Sequence, residues 1–495
     1  MTPTLSSIVE QLRQAGHSHL LDFVDQLNET ELQSLLQQIA YLDFELVNQL
    51  FTKFRDANNP LTSNISATSS LDIRPPDALR LDQDNTPSGV TRSQAVIEGE
   101  RLLRAGKVAA LIVAGGQGSR LGFDKPKGMF PIGPISQRTL YEMLVYKIDA
   151  LQRHYETTIP LLIMTSPSVH DETISYFEEH DYFGLSDSIE FFCQDTLPVV
   201  DSQSGQILLQ SPHTISVSPT GHGGMIAALV ADKLLDKCQQ AGIEHFFFGQ
   251  IDNPLSPICC AELIGFHSLT DSAVTLQAIT KQNAQDKTGN IVQIDDRIQM
   301  IEYTEMPPQL AAQTTADGQL NFWAANIAVH IFQTSFLQQL AQNPTALPFH
   351  PAHKTVAHID HLGNQIDPAE PNAIKFERFI FDSLSVSPKT TVIEADRNLV
   401  FAAVKNPVSA SFNTVDTCRH AISALHRNWL IAAGVQVDAN ITVEIDPCWA
   451  RNAQQVSERS DLPPTITADI FLTSSSSTAR ESFYGLCRHH GRRVG

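Results

Sequence analysis

Four short runs of nearly unbroken apolar residues, at 108–113, 159–164, 246–251 and 274–279, recur between stretches of helical periodicity. A strand reads as such a run when both its faces are buried, and that happens when helices cover a sheet on each side. The chain is therefore expected to be α/β, with a mixed, mostly parallel sheet. Further strands are expected at 189–192 and across 291–303, the latter around a turn at Asp295 and Asp296. None of the runs approaches the roughly 18 apolar residues of a membrane-spanning helix.

At 495 residues the chain exceeds the usual size of one domain. From Leu5 to Phe54 apolar residues recur at helical spacing, as in Leu32, Leu35, Leu36 and Ile39, and again in Phe44, Val47, Leu50 and Phe51. Residues 56–93 are rich in Asn, Ser, Thr, Pro and Asp and read as an extended connection. These features divide the chain into a helical N-terminal arm with its connection (1–94), a core (95–405) and a small C-terminal domain (406–495). The last should hold a helix at 417–432 and β-structure at 435–445. No internal repeat is present.

Asp and Glu number 54 against 34 Lys and Arg, a formal charge of −20, so the surface repels nucleic acid and anionic lipid. Neither is an expected partner, although a local basic pocket can still collect a small anion. The seven cysteines form no C-x-x-C pair, and the first twenty residues lack the order of a signal peptide. A reducing, cytoplasmic setting is expected.

The run at 108–113 leads into A-G-G-Q-G-S-R-L-G-F-D-K-P-K-G-M at 114–129. Gly115, Gly116 and Gly118 let backbone N–H groups approach a phosphate closely, and Arg120, Lys125 and Lys127 add positive charge to the same loop. Two better-known phosphate loops fail on spacing. The dinucleotide fingerprint needs a third glycine three residues after Gly118, but the next is Gly122, and no Gly-Lys-Ser or Gly-Lys-Thr follows. Asp252 closes the apolar run F-F-F-G-Q-I-D and is placed at the C-terminal edge of a buried strand, where open α/β sheets bind ligands. The lesser reading is a turn-capping Asp before Pro254.

The segment at 114–129 resembles the signature loop of eukaryotic-type UDP-N-acetylhexosamine pyrophosphorylases, within the wider UTP:sugar-1-phosphate uridylyltransferase family. Colinear matches continue through Q-D-T-L-P at 194–198, S-P-T-G-H-G-G at 218–224, D-N at 252–253, V-Q-I-D-D-R-I-Q-M-I-E-Y-T-E at 292–305, A-N-I-A at 325–328, P-N-A-I-K-F-E-R-F-I-F-D at 371–382 and V-K-N at 404–406. The resemblance implies a Rossmann-like nucleotidyltransferase core that forms a UDP-sugar and pyrophosphate from UTP and a sugar-1-phosphate. It further implies that Arg120 and Lys127 hold the triphosphate and that Lys405 reaches the reacting phosphate. Mg²⁺ or Mn²⁺ would bind Asp252, Gln194 would read the uracil, and Gly115, Gly116, Gly221 and His222 would line the nucleotide. Gly289, Glu302 and Asn326 match sugar-contacting positions. Read from the residues alone, Lys405 is a surface lysine, and those last three are a turn glycine, a strand-face carboxylate and a helix cap.

Two departures bear on the sugar. The acetylhexosamine branch has G-N-G where this chain has Gly221-His222-Gly223, a form characteristic of UDP-glucose and general UDP-sugar enzymes, and the glycine of N-A-G-N-I is replaced by Ala325. Whole-chain likeness favours N-acetylglucosamine-1-phosphate, with glucose-1-phosphate or a broad hexose set as the alternative. A different class of function is suggested by His350, His353, His358 and His361, a density of imidazoles that can bind zinc or nickel, though no H-E-x-x-H motif accompanies them.

Overall fold

A computed structural model describes residues 5–56 and 72–474. The residues 57–71 of the expected connection, Cys487 and the polar C-terminal stretch from 475 lie outside the described residues. The chain folds as two units, each discontinuous in sequence: Met1–Leu71, Gln194–Ala228 and Asn343–Ser383 form the first, and Asp72–Cys193, Leu229–Gln342 and Leu384–Gly495 the second.

In the first unit the expected helical segment is present as α1 (Leu5–Ala15), α2 (Glu29–Ala40) and α3 (Phe44–Asp56). Asn28 starts α2 with a reciprocal capping box to Glu31, satisfying N–H groups that a helix start leaves orphaned. The helices bury Leu12, Leu35, Leu36, Ile39, Val47 and Phe51 against Leu209, Ile215, Ile374 and Phe376. The last two belong to a three-stranded antiparallel sheet of Phe349–Lys354, Ala373–Arg378 and Val200–Asp201.

The second unit is built on an 11-stranded mixed sheet. Its main strands are β1 (Val108–Val113), β2 (Leu161–Thr165), β3 (Ile189–Cys193), β4 (His245–Gln250), β5 (Val274–Thr280), β6 (Asn290–Ile294), β7 (Arg297–Ile301), β8 (Ala324–Gln333) and β9 (Thr390–Glu394). All four apolar runs are strands, within two residues of the expected bounds. The order across the sheet is Ala78–Leu79, β9, β5, β8, β4, β1, β2, β3. Every neighbouring pair is parallel except those of β8, which runs antiparallel to both β4 and β5. The segment 291–303 is a hairpin, β6 and β7, turning through Asp295 (φ 48°) and Asp296 (φ 66°), the left-handed pair that a two-residue hairpin requires. Two short strands of the expected connection, Ile73–Arg74 and Ala78–Leu79, join this sheet.

Helices α4 (Arg92–Arg104), α5 (Leu140–Tyr155) and α6 (Ala261–Leu269) pack in this unit, α4 and α5 each starting in a capping box, from Thr91 and Thr139. The expected C-terminal helix is α7 (Val415–Ala432). It shares a small apolar cluster with Val443, Ile445, Trp449 and Ile466, and a fully buried ion pair, Arg138 to Asp446 at 2.7 Å, ties that cluster to the start of α5. No helix among the described residues is long and apolar enough to cross a membrane.

Helices α4 and α6 touch backbone to backbone. A Cβ placed on Gly99 would lie 1.8 Å from the Ala261 carbonyl oxygen, and one on Gly265 would lie 1.7 Å from that of Ala95. Helix propensity by itself favours alanine over glycine by about 1 kcal/mol. Because backbone cannot yield as a flexible side chain does, Gly99→Ala and Gly265→Ala are each expected to destabilise the protein by about 1–3 kcal/mol instead. Thermal unfolding followed by circular dichroism reads the sign, and a raised midpoint would refute the close approach.

Candidate active site

The chain leaves β4 at Gln250 and reaches Asp252 beside the end of β1, since Ile251 donates its N–H to the Val113 carbonyl at 3.0 Å. Parallel pairing of the two strands therefore sets the Gly115 loop and Asp252 at the same edge of the sheet. The Asp252 carboxylate is 13% exposed, and its Oδ2 lies 3.5 Å from Lys127 Nζ and 4.0 Å from Lys405 Nζ. Lys127 also donates to the Val404 carbonyl at 3.2 Å. Lys405, a surface lysine on the residues alone and a phosphate-reaching lysine by the resemblance, is 44% exposed and directed at this carboxylate.

Two ammonium groups face one carboxylate, a local excess of positive charge in a protein of net charge −20. Such a centre attracts a polyanion. The donor set also suits Mg²⁺, which is held by one or two carboxylates with substrate phosphates supplying further oxygens.

The glycine loop is folded on itself by bonds from Lys127 N–H to the Gly116 carbonyl (3.0 Å) and from Gly118 N–H to the Lys125 carbonyl (2.9 Å). Ser166, just past the end of β2, donates to the Gly115 carbonyl at 2.7 Å. Arg120 stands exposed on the following 3-10 turn, Ser119–Leu121. Lys125, which belongs to the same basic flank, lies instead 3.9 Å from Glu172.

Gln194, Gly221 and His222 belong to the first unit. Gln194 is buried at 6% exposure, and Thr220 bonds back to the Asp195 carbonyl through both N–H and hydroxyl (3.0 and 3.1 Å). Gly221 sits at φ 79°, and a Cβ there would lie 2.7 Å from the Arg378 carbonyl oxygen, so conformation and space both demand glycine. The His222 ring packs on Phe381 and Phe379, at centroid distances of 4.5 and 5.4 Å. Its Nδ1 accepts the Ile380 N–H at 3.0 Å, which puts the proton of the neutral ring on Nε2.

The three sugar-matched positions are brought together in the second unit. Asn326 lies on strand β8, where one bland reading had a helix cap, and it donates its N–H to the Gly289 carbonyl at 2.9 Å. Glu302 follows Ile301, which pairs with Asn290 next to Gly289. The Asn326 side chain accepts from Ala328 N–H (2.9 Å) and meets His330 Nε2 (3.2 Å), while its Nδ2 approaches the Met300 sulfur at 3.0 Å. Met300, His330 and Lys281 were not singled out from sequence. Lys281 is buried, donates to Asn290 Oδ1 at 2.7 Å, and is held below the usual lysine range by desolvation, which Asp286 opposes.

Two more groups, Lys147 and the buried Cys418, flank the Asp252 turn. Lys147 on α5 donates to the carbonyls of Pro254 and of Ser256 (3.0 Å for the latter), and burial lowers its pKa to about 8. Burial, with Asp252 adding to it, pushes the Cys418 thiol up, and its Sγ donates to the Ala402 carbonyl at 2.9 Å. A cavity of about 660 Å³ next to this turn, lined by Lys147, Pro254, Tyr155, Cys259 and Trp429 among others, includes none of the candidate residues.

The histidine cluster does not form a metal site. His350 Nε2 is engaged by Asp382 at 2.9 Å, His358 Nδ1 by the Val356 carbonyl, and no group of three or more His, Cys, Asp or Glu among the described residues is placed to hold a metal ion.

Residues 51–437 match the family model of UTP–glucose-1-phosphate uridylyltransferase. UDP-N-acetylhexosamine pyrophosphorylase-like protein 1 of Mus musculus is 33% identical over 442 residues, 86% of this chain and 85% of its own. UDP-N-acetylglucosamine pyrophosphorylase of Saccharomyces cerevisiae is 32% identical over 458 residues, 90% and 94% of the two chains. Among solved structures, the UDP-N-acetylglucosamine pyrophosphorylase of Trypanosoma brucei in complex with an inhibitor superposes with a TM-score of 0.78 at 25% identity, covering 95% of this chain and 98% of that one. The Leishmania major UDP-glucose pyrophosphorylase in complex with UDP-glucose shares the fold, at 14% identity and a TM-score of 0.57 over 86% and 80% of the chains. A uridylyltransferase by fold and by sequence, the chain belongs to the UTP–glucose-1-phosphate uridylyltransferase family.

Proposed function

We propose that the protein joins UTP and N-acetylglucosamine-1-phosphate into the UDP-sugar with release of pyrophosphate, and that Asp252, Lys127 and Lys405 form its reaction centre. The observation that carries this reading is the approach of both ammonium groups to one carboxylate oxygen, at 3.5 and 4.0 Å. In uridylyl transfer a sugar-phosphate oxygen attacks the α-phosphorus of UTP in line and pyrophosphate leaves. The protein has little covalent work to do, so positioning and charge neutralisation dominate.

In this reading Arg120 and the N–H groups about Gly115 and Gly116 hold the triphosphate. Lys127 and Lys405 leave Asp252 for the oxygens of the reacting phosphate. Asp252 would hold a divalent cation, Mg²⁺ or Mn²⁺, whose chemistry is to neutralise the departing pyrophosphate. Gln194, an amide with both donor and acceptor, suits the uracil edge, and Gly221 and His222 line the nucleotide. Asn326, Glu302 and Gly289 contact the sugar. The six described cysteines are free thiols, which supports a cytoplasmic setting.

The sugar assignment rests on the N-acetylglucosamine and N-acetylhexosamine names of the relatives at 32–33% identity. A second reading, glucose-1-phosphate, is favoured by one residue, since His222 stands where the acetylhexosamine branch has Asn. Each buried polar group left unpaired by the missing acetamido costs about 1–3 kcal/mol, or about ten- to a hundredfold in rate. Specificity constants with UTP are therefore expected to favour N-acetylglucosamine-1-phosphate over glucose-1-phosphate by at least about tenfold. A reversed order overturns the assignment. An unchanged ratio in His222→Asn would show that this position does not read the sugar.

Asp252→Asn should fold and bind UTP but lose about a hundredfold or more in kcat, because several kcal/mol of charge stabilisation goes with the cation. Excess EDTA should abolish wild-type turnover; full activity in either case rules the metal role out. Lys127→Ala and Lys405→Ala should each lower kcat by about 10²–10³-fold with a smaller rise in KM for UTP, the pattern of an interaction made mainly in the transition state. A change confined to KM would remove both from the reaction step.

A further inference from the structure

Asn253, next to Asp252, is buried at 6% exposure and has no part in the reaction as described so far. Its amide is spent on the backbone of one distant segment. Nδ2 donates to the Val400 carbonyl at 2.8 Å and Oδ1 accepts the Ala402 N–H at 2.9 Å. The Asp252 carbonyl then accepts the Val404 N–H at 2.8 Å. Three bonds thus engage residues 400, 402 and 404 in turn, and the next residue is Lys405.

We propose that Asn253 is a positioning residue for uridylyl transfer, fixing the distance at which Lys405 meets Asp252; this rests on the proposed roles of those two residues. Only an amide suits the position, because one planar group must donate to a carbonyl and accept from an N–H two residues on. That demand also fixes the amide orientation. The segment so held is gripped from other directions as well: Cys418 Sγ bonds the Ala402 carbonyl and Lys127 Nζ bonds the Val404 carbonyl. Val404 is therefore fixed through its N–H by Asp252 and through its carbonyl by Lys127, and the two ammonium groups are set from a single residue. Lys405 N–H in turn donates to the Asn413 carbonyl at 2.8 Å, so the remaining freedom is in its side chain.

The test is a double-mutant cycle of Asn253→Ala with Lys405→Ala in the full chain, reading kcat, KM for UTP, UTP affinity by calorimetry and the thermal midpoint. Asn253→Ala is expected to lower kcat at least tenfold while UTP affinity and KM change less than threefold, and to cost no further kcat once Lys405 is already alanine. A loss that persists undiminished in the Lys405→Ala background, or one confined to KM, overturns the positioning role. Unaltered kcat in Lys405→Ala itself overturns the reading of Lys405 as part of the reaction centre. Should Asn253→Ala not fold, Asn253→Asp carries the same comparison, since it keeps the acceptor for Ala402 and loses the donor to Val400. Its kcat is expected to fall by a factor that vanishes in the Lys405→Ala background, and persistence of that factor again overturns the proposal.

Discussion

The parallel pairing of β4 with β1 runs from His245 opposite Val108 to Gln250 opposite Val113, and the ladder is extended by the bond from Ile251 to the Val113 carbonyl. Both strands are almost wholly buried, so a slip in register would cost the apolar contacts on both faces at once. Because the pairing is parallel, the two chains leave the sheet at the same edge, one as the glycine loop and the other as the Asp252 turn. Lys127 and Asp252 meet through this adjacency, and Lys405 joins them through the segment tied to Asp252 and Asn253.

The charges of the centre would be ill matched without ligand. Two ammonium groups compete for one carboxylate oxygen, at distances of 3.5 and 4.0 Å that are long for charge-assisted hydrogen bonds of about 2.7–2.9 Å. Neither lysine is fully satisfied by Asp252, and under the proposed function both would turn to phosphate oxygens. An overall charge of −20 does not oppose this, because at physiological ionic strength exposed charges beyond about 8 Å are largely screened.

The features readable in the sequence were those set by local pattern. Buried strands announced themselves as apolar runs, and the Asp295–Asp296 hairpin was marked by turn residues between two alternating segments. Strand β8 was not read at all, Asn326 within it passing for a helix cap, and its antiparallel direction could not have been, because a strand buried on both faces looks the same in either orientation. Nor was the grouping of the N-terminal helices with 194–228 and 343–383, which depends on contacts such as the stacking of Phe54 on Phe376 far along the chain. Asn253 illustrates the limit most plainly. The D-N pair was recognised as a motif, yet the partners of the asparagine are backbone atoms 147 and 149 residues away, with no side-chain identity for the sequence to display.

The antiparallel strand shows how one irregularity can serve fold and site together. The register of β8 against β5 shifts between Leu276 and Ala278, and on β8 Ala328 takes φ 57°, a left-handed conformation that costs a non-glycine residue about 1–2 kcal/mol. The Ala328 N–H, displaced from the regular ladder, is accepted by the Asn326 side chain at 2.9 Å. A bulge of this kind bends the strand and re-aims the side chains beside it. Asn326 thus secures the distortion that sets its own direction, with its oxygen turned toward Ala328 and His330 and its nitrogen toward Met300. The amide oxygen is committed to the strand and to His330, whereas the nitrogen is held by the weak acceptor sulfur of Met300, so under the proposed function Asn326 would address a sugar as a donor by exchanging that contact.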